Sequence, residues 1–367
     1  MWFVDIDIYI NVLKRTMISD DAEVISICLE ANSANARLIC LKETSREGKD
    51  KEKVWALRKF VCAQDGLRLI EELIRRLKDD FGSEIERLVP VVISLPGIVT
   101  DDGEVKRASR LGILEQINPK EVFYKFGIKN VGVYRDVDCL ARGELLTSPK
   151  FSQYSEEDLP KTFLFMWIDE GVGSSIYING SSYRGAGFAG PIGRLIVEKD
   201  GAYNPAFQSH GPLEVFVGRP FISQEMINLY LSEREKKNQI NITTDFRHKL
   251  EVACLDSNQS QSIKYQDMIK GWDSKDPIAV AALDKAANYL GLAISTIITI
   301  LNPPIIILSG NFIRQMPSVA EHTIAYAKRY SWQNAWNSTE IFLSEFDGNC
   351  QHVGAAWLYR YCTRNGK

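Results

Sequence analysis

The chain has 367 residues, of which 45% are hydrophobic and 25% are charged, and its formal net charge is −3 at pH 7. A chain of this length exceeds what one hydrophobic core usually supports, so we expect two domains. The composition is typical of a soluble globular protein, and the small negative charge provides no bulk attraction to nucleic acid or to an anionic membrane.

The first part of the chain alternates predicted strands and helices. Two β-branched runs around a polar ANSAN segment predict a β-hairpin. Apolar residues at helical spacing after Asp65 predict a helix with Asp65 as its N-cap. A buried strand that stops at Pro96-Gly97, a second strand and a helix follow. These segments are VISICLE (24–30), ARLICL (36–41), DGLRLIEELIRRLKDDFG (65–82), LVPVVISLPG (88–97), GIKNVGVYRDVD (127–138) and DCLARGELL (138–146).

A second domain is predicted to begin near residue 150, in the polar segment SPKFSQYSEEDLPK. FLFMWID and SSIYI then predict two strands on either side of a glycine-containing turn, and Asn179-Gly180 predicts a hairpin turn. The pattern becomes largely helical from about Phe216.

The last part of the chain contains a well-marked helix. Asp276 as N-cap and Pro277 at the first helical position predict a helix that runs to Leu301. NPPIIILSGN then predicts a strand ending at Gly310, and GAAWLYRYC (354–362) predicts a terminal helix. The longest apolar stretch, GLAISTIITIL, is too short to cross a bilayer, so we expect a buried helix and no membrane partner.

The cysteines and the first residues indicate the compartment. Seven cysteines are scattered along the chain, and no pair has the C-x-x-C spacing. This favours reduced, mostly buried thiols in a cytoplasmic protein over a disulfide framework. The first residues, MWFVDIDIYINVLKR, include Asp5 and Asp7 and are typical of neither a signal peptide nor a membrane span.

Four segments, taken in order, resemble the ROK family (repressors, open reading frames and sugar kinases), a branch of the actin-like ATPase fold. The resemblance implies an α/β protein with two RNase H-like lobes and a ligand cleft between the lobes. We expect an N-terminal extension at 1–22, a first lobe at 23–147 with the C-terminal helix 350–367, and a second lobe at 148–349 with a helical insertion. The segments are ISLPGIVTDDGEV (93–105), YRDVDCLARGE (134–144), DEGVGSSIYINGSSYRGAGFAGPIG (169–193) and YLGLAISTIITILNPPIIILSGN (289–311).

Kinase members of the family use an aspartate to deprotonate a sugar hydroxyl, and the resemblance implies that Asp136 has this position. A carboxylate at the end of a strand can accept the hydroxyl proton while the oxygen attacks the terminal phosphate of ATP. An N-cap or an ordinary surface charge is the alternative role for Asp136.

The nucleotide side departs from the kinase pattern. The first phosphate loop, Asp-x-Gly-Gly-Thr in kinases, falls on Glu30-Ala31-Asn32-Ser33-Ala34, whose Cβ atoms would obstruct a phosphate. The resemblance places nucleotide contacts at Gly171, Gly173, Ser174 and Gly310. Glu170, however, replaces a hydroxyl donor, and like charges about 4 Å apart at an effective dielectric of 20 cost roughly 4 kcal/mol unless a cation bridges them. A hairpin corner that needs glycine is the alternative explanation for the second loop.

The sugar side is also altered. The resemblance implies sugar contacts at Arg135, Asp136, Arg194 and Glu214, where Arg135 replaces an asparagine and Arg194 a histidine. Arginines suit a carboxylate or a phosphate, so an anionic sugar derivative is one possible ligand, and an internal Arg–Asp pair is the other explanation.

The expected cofactors follow from these departures. In family members, zinc is held by cysteines and by the histidine at the position of Arg194. In this chain, residues 194–215 contain no cysteine and a single histidine, His210. We therefore expect no structural zinc, and ATP with Mg²⁺ only if the chain is a kinase.

Three hypotheses remain from the sequence. The first is a non-catalytic or weakly catalytic, sugar-responsive regulator that forms a homodimer; the roughly 22 residues before VISICLE are too few for the winged helix-turn-helix of family repressors, so we expect no DNA-binding domain in this chain. The second is an atypical ATP-dependent hexose kinase that uses Asp136 as the base. The third is a purely structural or assembly protein.

Overall fold

The computed structural model describes residues 23–30, 33–40, 52–56, 63–108, 111–155, 158–236, 244–256, 259–345 and 350–364. The predicted N-terminal extension, and Ala31 and Asn32 of the first phosphate-loop segment, lie outside these residues.

The described chain contains strands and helices in a mixed order. The strands are β1 (Glu23–Leu29), β2 (Ser33–Cys40), β3 (Glu52–Ala56), β4 (Val91–Leu95), β5 (Ile98–Val99), β6 (Val105–Arg107), β7 (Val131–Arg135), β8 (Phe163–Ile168), β9 (Val172–Ile178), β10 (Ser181–Ser182), β11 (Tyr203–Asn204), β12 (Ser209–His210), β13 (Ile305–Ser309) and β14 (Glu340–Leu343).

Three of the described helices have 18 or more residues. The helices are α1 (Ala63–Glu86), α2 (Pro119–Lys125), α3 (Asp136–Thr147), α4 (Glu214–Val217), α5 (Arg219–Lys236), α6 (Asp245–Cys254), α7 (Gln259–Ser262), α8 (Tyr265–Asp273), α9 (Pro277–Leu301), α10 (Asn311–Gln315), α11 (Pro317–Tyr330), α12 (Gln333–Asn337) and α13 (Gln351–Arg364). Single 3₁₀ turns lie at Gly112–Leu114, Pro149–Phe151 and Ile192–Arg194.

The chain divides into two compact units that are interleaved in sequence. The first unit comprises the described residues of Met1–Pro160, Arg184–Ala189 and Gly348–Lys367, and the second comprises those of Lys161–Tyr183 and Gly190–Asp347. The six residues Arg184–Ala189 therefore pack with the first unit although the residues on both sides of them pack with the second.

Each unit is built on a five-stranded mixed sheet. In the first unit the strand order is β3-β2-β1-β4-β7; β1, β2 and β3 are antiparallel neighbours, and β1, β4 and β7 run parallel. In the second unit the order is β10-β9-β8-β13-β14, with the same alternation of antiparallel and parallel pairs. Both units therefore have one topology, an antiparallel meander followed by two parallel strands.

Helix α1 packs its apolar face on the first sheet. Its buried residues recur at helical spacing, as the sequence predicts, and they join the strand residues in one core. The helix-side residues are Leu69, Ile70, Leu73, Ile74, Leu77 and Phe81. The predicted N-cap is wrong, because the helix begins at Ala63, before Asp65.

Helix α9 is the central core helix of the second unit, and its predicted bounds are confirmed. The Asp276 side chain accepts a hydrogen bond from the Ile278 amide, Pro277 occupies the first turn, and Asn302 ends the helix in the left-handed conformation. Among the described helices it has the length and apolar composition to cross a bilayer, but 61% of its most apolar stretch is buried inside the unit. The predicted buried helix is therefore confirmed.

Helices α3 and α13 pack unusually closely in the first unit, and two glycines permit this. A Cβ atom at Gly354 would lie 1.9 Å from the Cys139 carbonyl oxygen, and one at Gly143 would lie 2.0 Å from the Cys350 carbonyl oxygen. The two backbones therefore touch where side chains would otherwise separate them. Cys139 and Cys350 are buried with free thiols, as predicted for these positions.

Candidate functional site

Asp136 lies at the carboxyl end of β7, where helix α3 begins. Its neighbour Arg135 pairs with Leu95 at the end of the parallel strand β4, so both strands end at the same edge of the sheet, where open α/β sheets bind ligands. The side chain of Asp136 is half-buried, and its Oδ1 accepts a hydrogen bond from the Val137 amide at 2.8 Å. The carboxylate therefore contributes to the helix start and keeps some exposure to solvent.

Arg135 forms a buried pair with Asp138, which is the internal Arg–Asp pair considered from the sequence. Its Nε donates to Asp138 Oδ2 at 2.8 Å and its Nη2 donates to Oδ1 at 2.7 Å, and both side chains are almost fully buried. The remaining Nη1 donates to the Ala189 carbonyl at 3.3 Å. Arg135 is thus engaged inside the protein on all three nitrogens, which leaves it poorly placed to bind an anionic ligand.

Arg184 shares the same carboxylate. Its Nη2 donates to Asp138 Oδ2 at 3.3 Å, while its Nη1 donates to the Val99 carbonyl and to Asp101 Oδ1. The family resemblance assigns this arginine no role. The sequence does indicate an ion pair here, because Arg135 and Asp138 introduce opposite charges three residues apart. They stand at the two asparagines of the family's Glu-Asn-Asp-Ala-Asn segment.

The glycine turn lies between β8 and β9 in the second unit. Gly173 pairs with Trp167 in the antiparallel ladder, and neither Gly171 nor Gly173 has a positive φ angle. Ser174 is buried, and its hydroxyl donates to the Gly190 carbonyl and accepts from the Ile192 amide at 2.9 Å. The hydroxyl predicted to contact nucleotide is therefore used, as donor and as acceptor, inside the unit.

Glu170, at the corner of this turn, is held by two side chains. Arg219 Nε donates to Glu170 Oε1 at 2.5 Å, and Gln261 Nε2 donates to Oε2 at 3.3 Å. Arg219 is itself buried; it also donates to the Gln261 side chain and to the Ile263 carbonyl. The negative charge is therefore compensated within the unit, and the sequence-based repulsion of roughly 4 kcal/mol against a phosphate is an overestimate.

Gly310 lies beside the same turn. Its φ angle is +98°, and a Cβ atom there would lie 2.3 Å from the Ile168 carbonyl oxygen, so close packing alone requires glycine. The following residue, Asn311, donates from Nδ2 to Asp169 Oδ2 at 2.7 Å. The ends of β8 and β13 are thus tied together by side chains of the protein.

Glu214 reaches the turn from helix α4. Its Oε2 accepts from the Val172 amide at 3.0 Å, and a Cβ atom at Gly193 would lie 3.5 Å from the same oxygen. The neighbouring Arg194 stacks its guanidinium on the Phe207 ring, 4.1 Å from the centroid. The structure therefore brings Glu214, Gly193 and the predicted glycine turn together within the second unit.

The segment that would carry the family zinc is closed by hydrogen bonds instead. The β11–β12 hairpin pairs Tyr203 with His210, and His210 is exposed with Nδ1 3.0 Å from the Gly201 carbonyl. Asn204 is buried and accepts from two backbone amides in the hairpin loop. Among the described residues, no group of three or more histidine, cysteine, aspartate or glutamate side chains could hold a metal. The residues present in this hairpin do not fit a tetrahedral zinc site.

Replacing Gly211 with alanine is expected to destabilise this hairpin by about 2–3 kcal/mol, whereas EDTA is expected to leave the melting temperature unchanged. Gly211 has a φ angle of +62°, and a Cβ atom would lie 1.5 Å from the Glu198 carbonyl oxygen. Thermal unfolding of the wild type, with and without EDTA, and of Gly211→Ala measures both effects.

Gly180→Ala is the matched control, because Gly180 also has a positive φ angle but has no atom within 4 Å of the added Cβ. It should cost only the backbone strain, about 1 kcal/mol. A melting temperature that falls on adding EDTA would contradict the metal-free interpretation.

The family model for the ROK family matches residues 40–361 of this chain. The chain therefore belongs to the ROK family, and its two units form the α/β, two-lobed actin-like ATPase fold of that family. Both the predicted family and the predicted fold class are confirmed.

Similar proteins include kinases and regulators. A glucokinase of Halalkalibacterium halodurans is 23% identical over 306 residues, which cover 81% of this chain and 85% of that protein. The xylose repressor of Bacillus subtilis is 22% identical over 273 residues, covering 73% of this chain and 60% of the repressor. This chain thus spans less than two thirds of the repressor.

A solved structure of a ROK family transcriptional regulator, a homolog of the E. coli MLC protein, superimposes with a TM-score of 0.71. Its sequence is 19% identical, and the match covers 93% of this chain and 78% of that one. At this identity the likeness establishes the fold and does not choose between a regulator and a kinase.

Proposed function

We propose that this chain is a sugar-responsive, regulator-type member of the ROK family with little or no kinase activity. The observation that carries the proposal is that Glu170, in the glycine turn between β8 and β9, is held by side chains of the protein itself. Where family kinases present a hydroxyl donor to phosphate, this chain has Glu170, which is fixed by Arg219 and Gln261.

Two further observations support the loss of nucleotide chemistry. The Ser174 hydroxyl is satisfied by Gly190 and Ile192, and Asp169 is paired with Asn311. The side chains of Asp169, Glu170 and Ser174 thus already have partners from the second unit, and a phosphate that used them would have to break these contacts.

The proposed ligand is a sugar or a sugar derivative. In the first unit Asp136 supplies a half-buried carboxylate at a strand end. In the second unit, considered by itself, Glu214 supplies a carboxylate beside the glycine turn. Carboxylates accept hydrogen bonds from sugar hydroxyls without needing a cofactor. The guanidinium of Arg194, stacked on Phe207, is a cation that would favour an anionic derivative. We further propose that the protein is cytoplasmic and that it forms a homodimer. Light scattering would test the oligomeric state.

The alternative function is an atypical hexose kinase. It is favoured by the retention of Asp136 at the position of the family base and by the similarity to a glucokinase over most of both chains. In that case ATP and Mg²⁺ would be required and Asp136 would act as the general base.

Thermal shift with glucose, xylose, their phosphates and ATP separates the two functions. We expect a sugar or sugar phosphate to raise the melting temperature, because a ligand at 100 times its dissociation constant stabilises the folded state by about 2.7 kcal/mol. We expect ATP to have no effect on the melting temperature. A coupled ATPase assay should remain at background. Sugar-dependent turnover that disappears in Asp136→Asn would establish the kinase instead.

Glu170→Thr tests whether charge alone prevents nucleotide binding. We expect no binding of ATP and a lower melting temperature, because buried Arg219 loses its carboxylate partner. Glu170→Gln is the control, since it removes the charge and keeps the length of the side chain. ATP binding by the threonine variant would show that one side chain had blocked an otherwise competent loop.

A further inference from the structure

The segment Arg184–Ala189 is anchored to the first unit at both of its ends. Arg184 donates to Asp138 at one end, and the Ala189 carbonyl accepts from Arg135 at the other. Within the segment the amides of Gly187 and Ala189 both donate to the Arg184 carbonyl, at 2.8 and 3.0 Å. The segment is therefore a closed turn whose position is set by two arginines and one aspartate.

Both anchors flank Asp136 in the sequence. Arg135 precedes it, and Asp138 follows it by two residues in the first turn of α3. The groups that hold the segment are thus carried by the same strand end and helix start that present the Asp136 carboxylate. A movement of Asp138 would displace the segment and the surroundings of Asp136 together.

The charges in this cluster differ sharply in exposure. Asp138 has a side-chain exposure of 1% and Arg184 of 18%, whereas Asp101, which also contacts Arg184, is 96% exposed. An exposed ion pair contributes little because water and salt screen it. A buried pair contributes little net stability but defines one geometry, because any other arrangement leaves an unpaired charge. Of the two carboxylates that contact Arg184, Asp138 is therefore the one that fixes its geometry, together with the Val99 carbonyl, which accepts from Nη1 at 3.0 Å.

We propose that Asp138 is a positioning residue, which acts through Arg135 and Arg184 to hold the segment Arg184–Ala189 beside Asp136 in the arrangement that binds the ligand. The class of ligand rests on the proposed function; the anchoring itself does not. The role depends on an arginine and an aspartate at the two positions where the family's Glu-Asn-Asp-Ala-Asn segment has asparagines.

Hydrogen exchange measured by mass spectrometry on the full chain tests the anchoring. In Arg184→Met the Gly187 and Ala189 amides should exchange at least tenfold faster, while the peptides of the two sheets stay as in the wild type. Arg184→Lys keeps the charge and should restore part of the protection. Asp101→Asn removes the exposed partner alone and should match the wild type. Equal protection in Arg184→Met and the wild type would overturn the proposal, as would faster exchange throughout the first unit.

Sugar binding provides the second readout. With glucose and xylose as probes, Arg184→Met should weaken the apparent affinity about tenfold, and Asp101→Asn should leave it unchanged. An unchanged affinity in Arg184→Met overturns the positioning role even if the segment has become mobile. If no sugar or sugar phosphate binds the wild type, the proposed function fails, and the exchange experiment still decides the anchoring.

Discussion

Asp138→Asn is expected to lower the free energy of unfolding by about 3–5 kcal/mol, because it removes one partner of a buried ion pair. Arg135, which is 3% exposed, would keep its charge, while its Nε and Nη2 donors would lose the Asp138 carboxylate as their acceptor. Urea denaturation of the wild type and the variant measures the difference.

The double variant Arg135→Asn/Asp138→Asn separates charge from packing. It removes both charges and installs the two asparagines of the family's pattern, so it should be less destabilised than Asp138→Asn alone. A coupling energy above about 2 kcal/mol is expected for groups in direct contact. Additive effects of the two substitutions would mean that the pair is not an energetic unit.

Gly354→Ala is expected to cost at least about 3 kcal/mol, although alanine is normally the better helix former by about 1 kcal/mol. The added Cβ would lie 1.9 Å from the Cys139 carbonyl oxygen and 2.6 Å from the Gly143 amide nitrogen. Backbone atoms cannot rotate away as a side chain can, so α3 and α13 must separate. Thermal unfolding of the purified variant measures the loss.

Gly82→Ala is the matched control for the helix effect. Gly82 lies in α1 directly after Phe81, where the helix is kinked (φ −128°, ψ 29°), and apart from its chain neighbours and its own helix backbone no atom lies within 4 Å of the added Cβ. This substitution should be neutral or stabilising by up to about 1 kcal/mol. If the two alanine variants melted at the same temperature, the close approach of α3 and α13 would not control stability.

Local rules predicted the elements of this fold well. The bounds of α9 follow from Asp276 and Pro277, whose roles as N-cap and first-turn residue depend only on nearby backbone. The hairpin turn at Asn179-Gly180 is likewise local, and both residues have the positive φ angles such a turn requires. The start of α1 was misplaced because several polar residues near Asp65 can begin a helix.

The candidate site was only partly predictable. The resemblance indicated the segments, but it could not reveal that Arg219, 49 residues along the chain, pairs with Glu170. Nor could it show that Asp138 binds Arg184, 46 residues away. Such pairs depend on tertiary packing. In the sequence the two charged residues are far apart and their pairing cannot be predicted, whereas in the structure they form an ion pair. The repulsion expected at Glu170 was conditional on no cation compensating it, and Arg219 is such a cation.

The interleaving of the two units in sequence has a consequence for biosynthesis. Helix α13 supplies Ala355, Ala356, Trp357 and Leu358 to a core that also contains Val24 and Val92. Chains leave the ribosome from the amino terminus and domains generally fold as units during synthesis. The first unit, although it is translated first, therefore lacks part of its core until the last residues have emerged. The second unit, which is continuous except for six residues, is the one that can complete its core while translation is still under way.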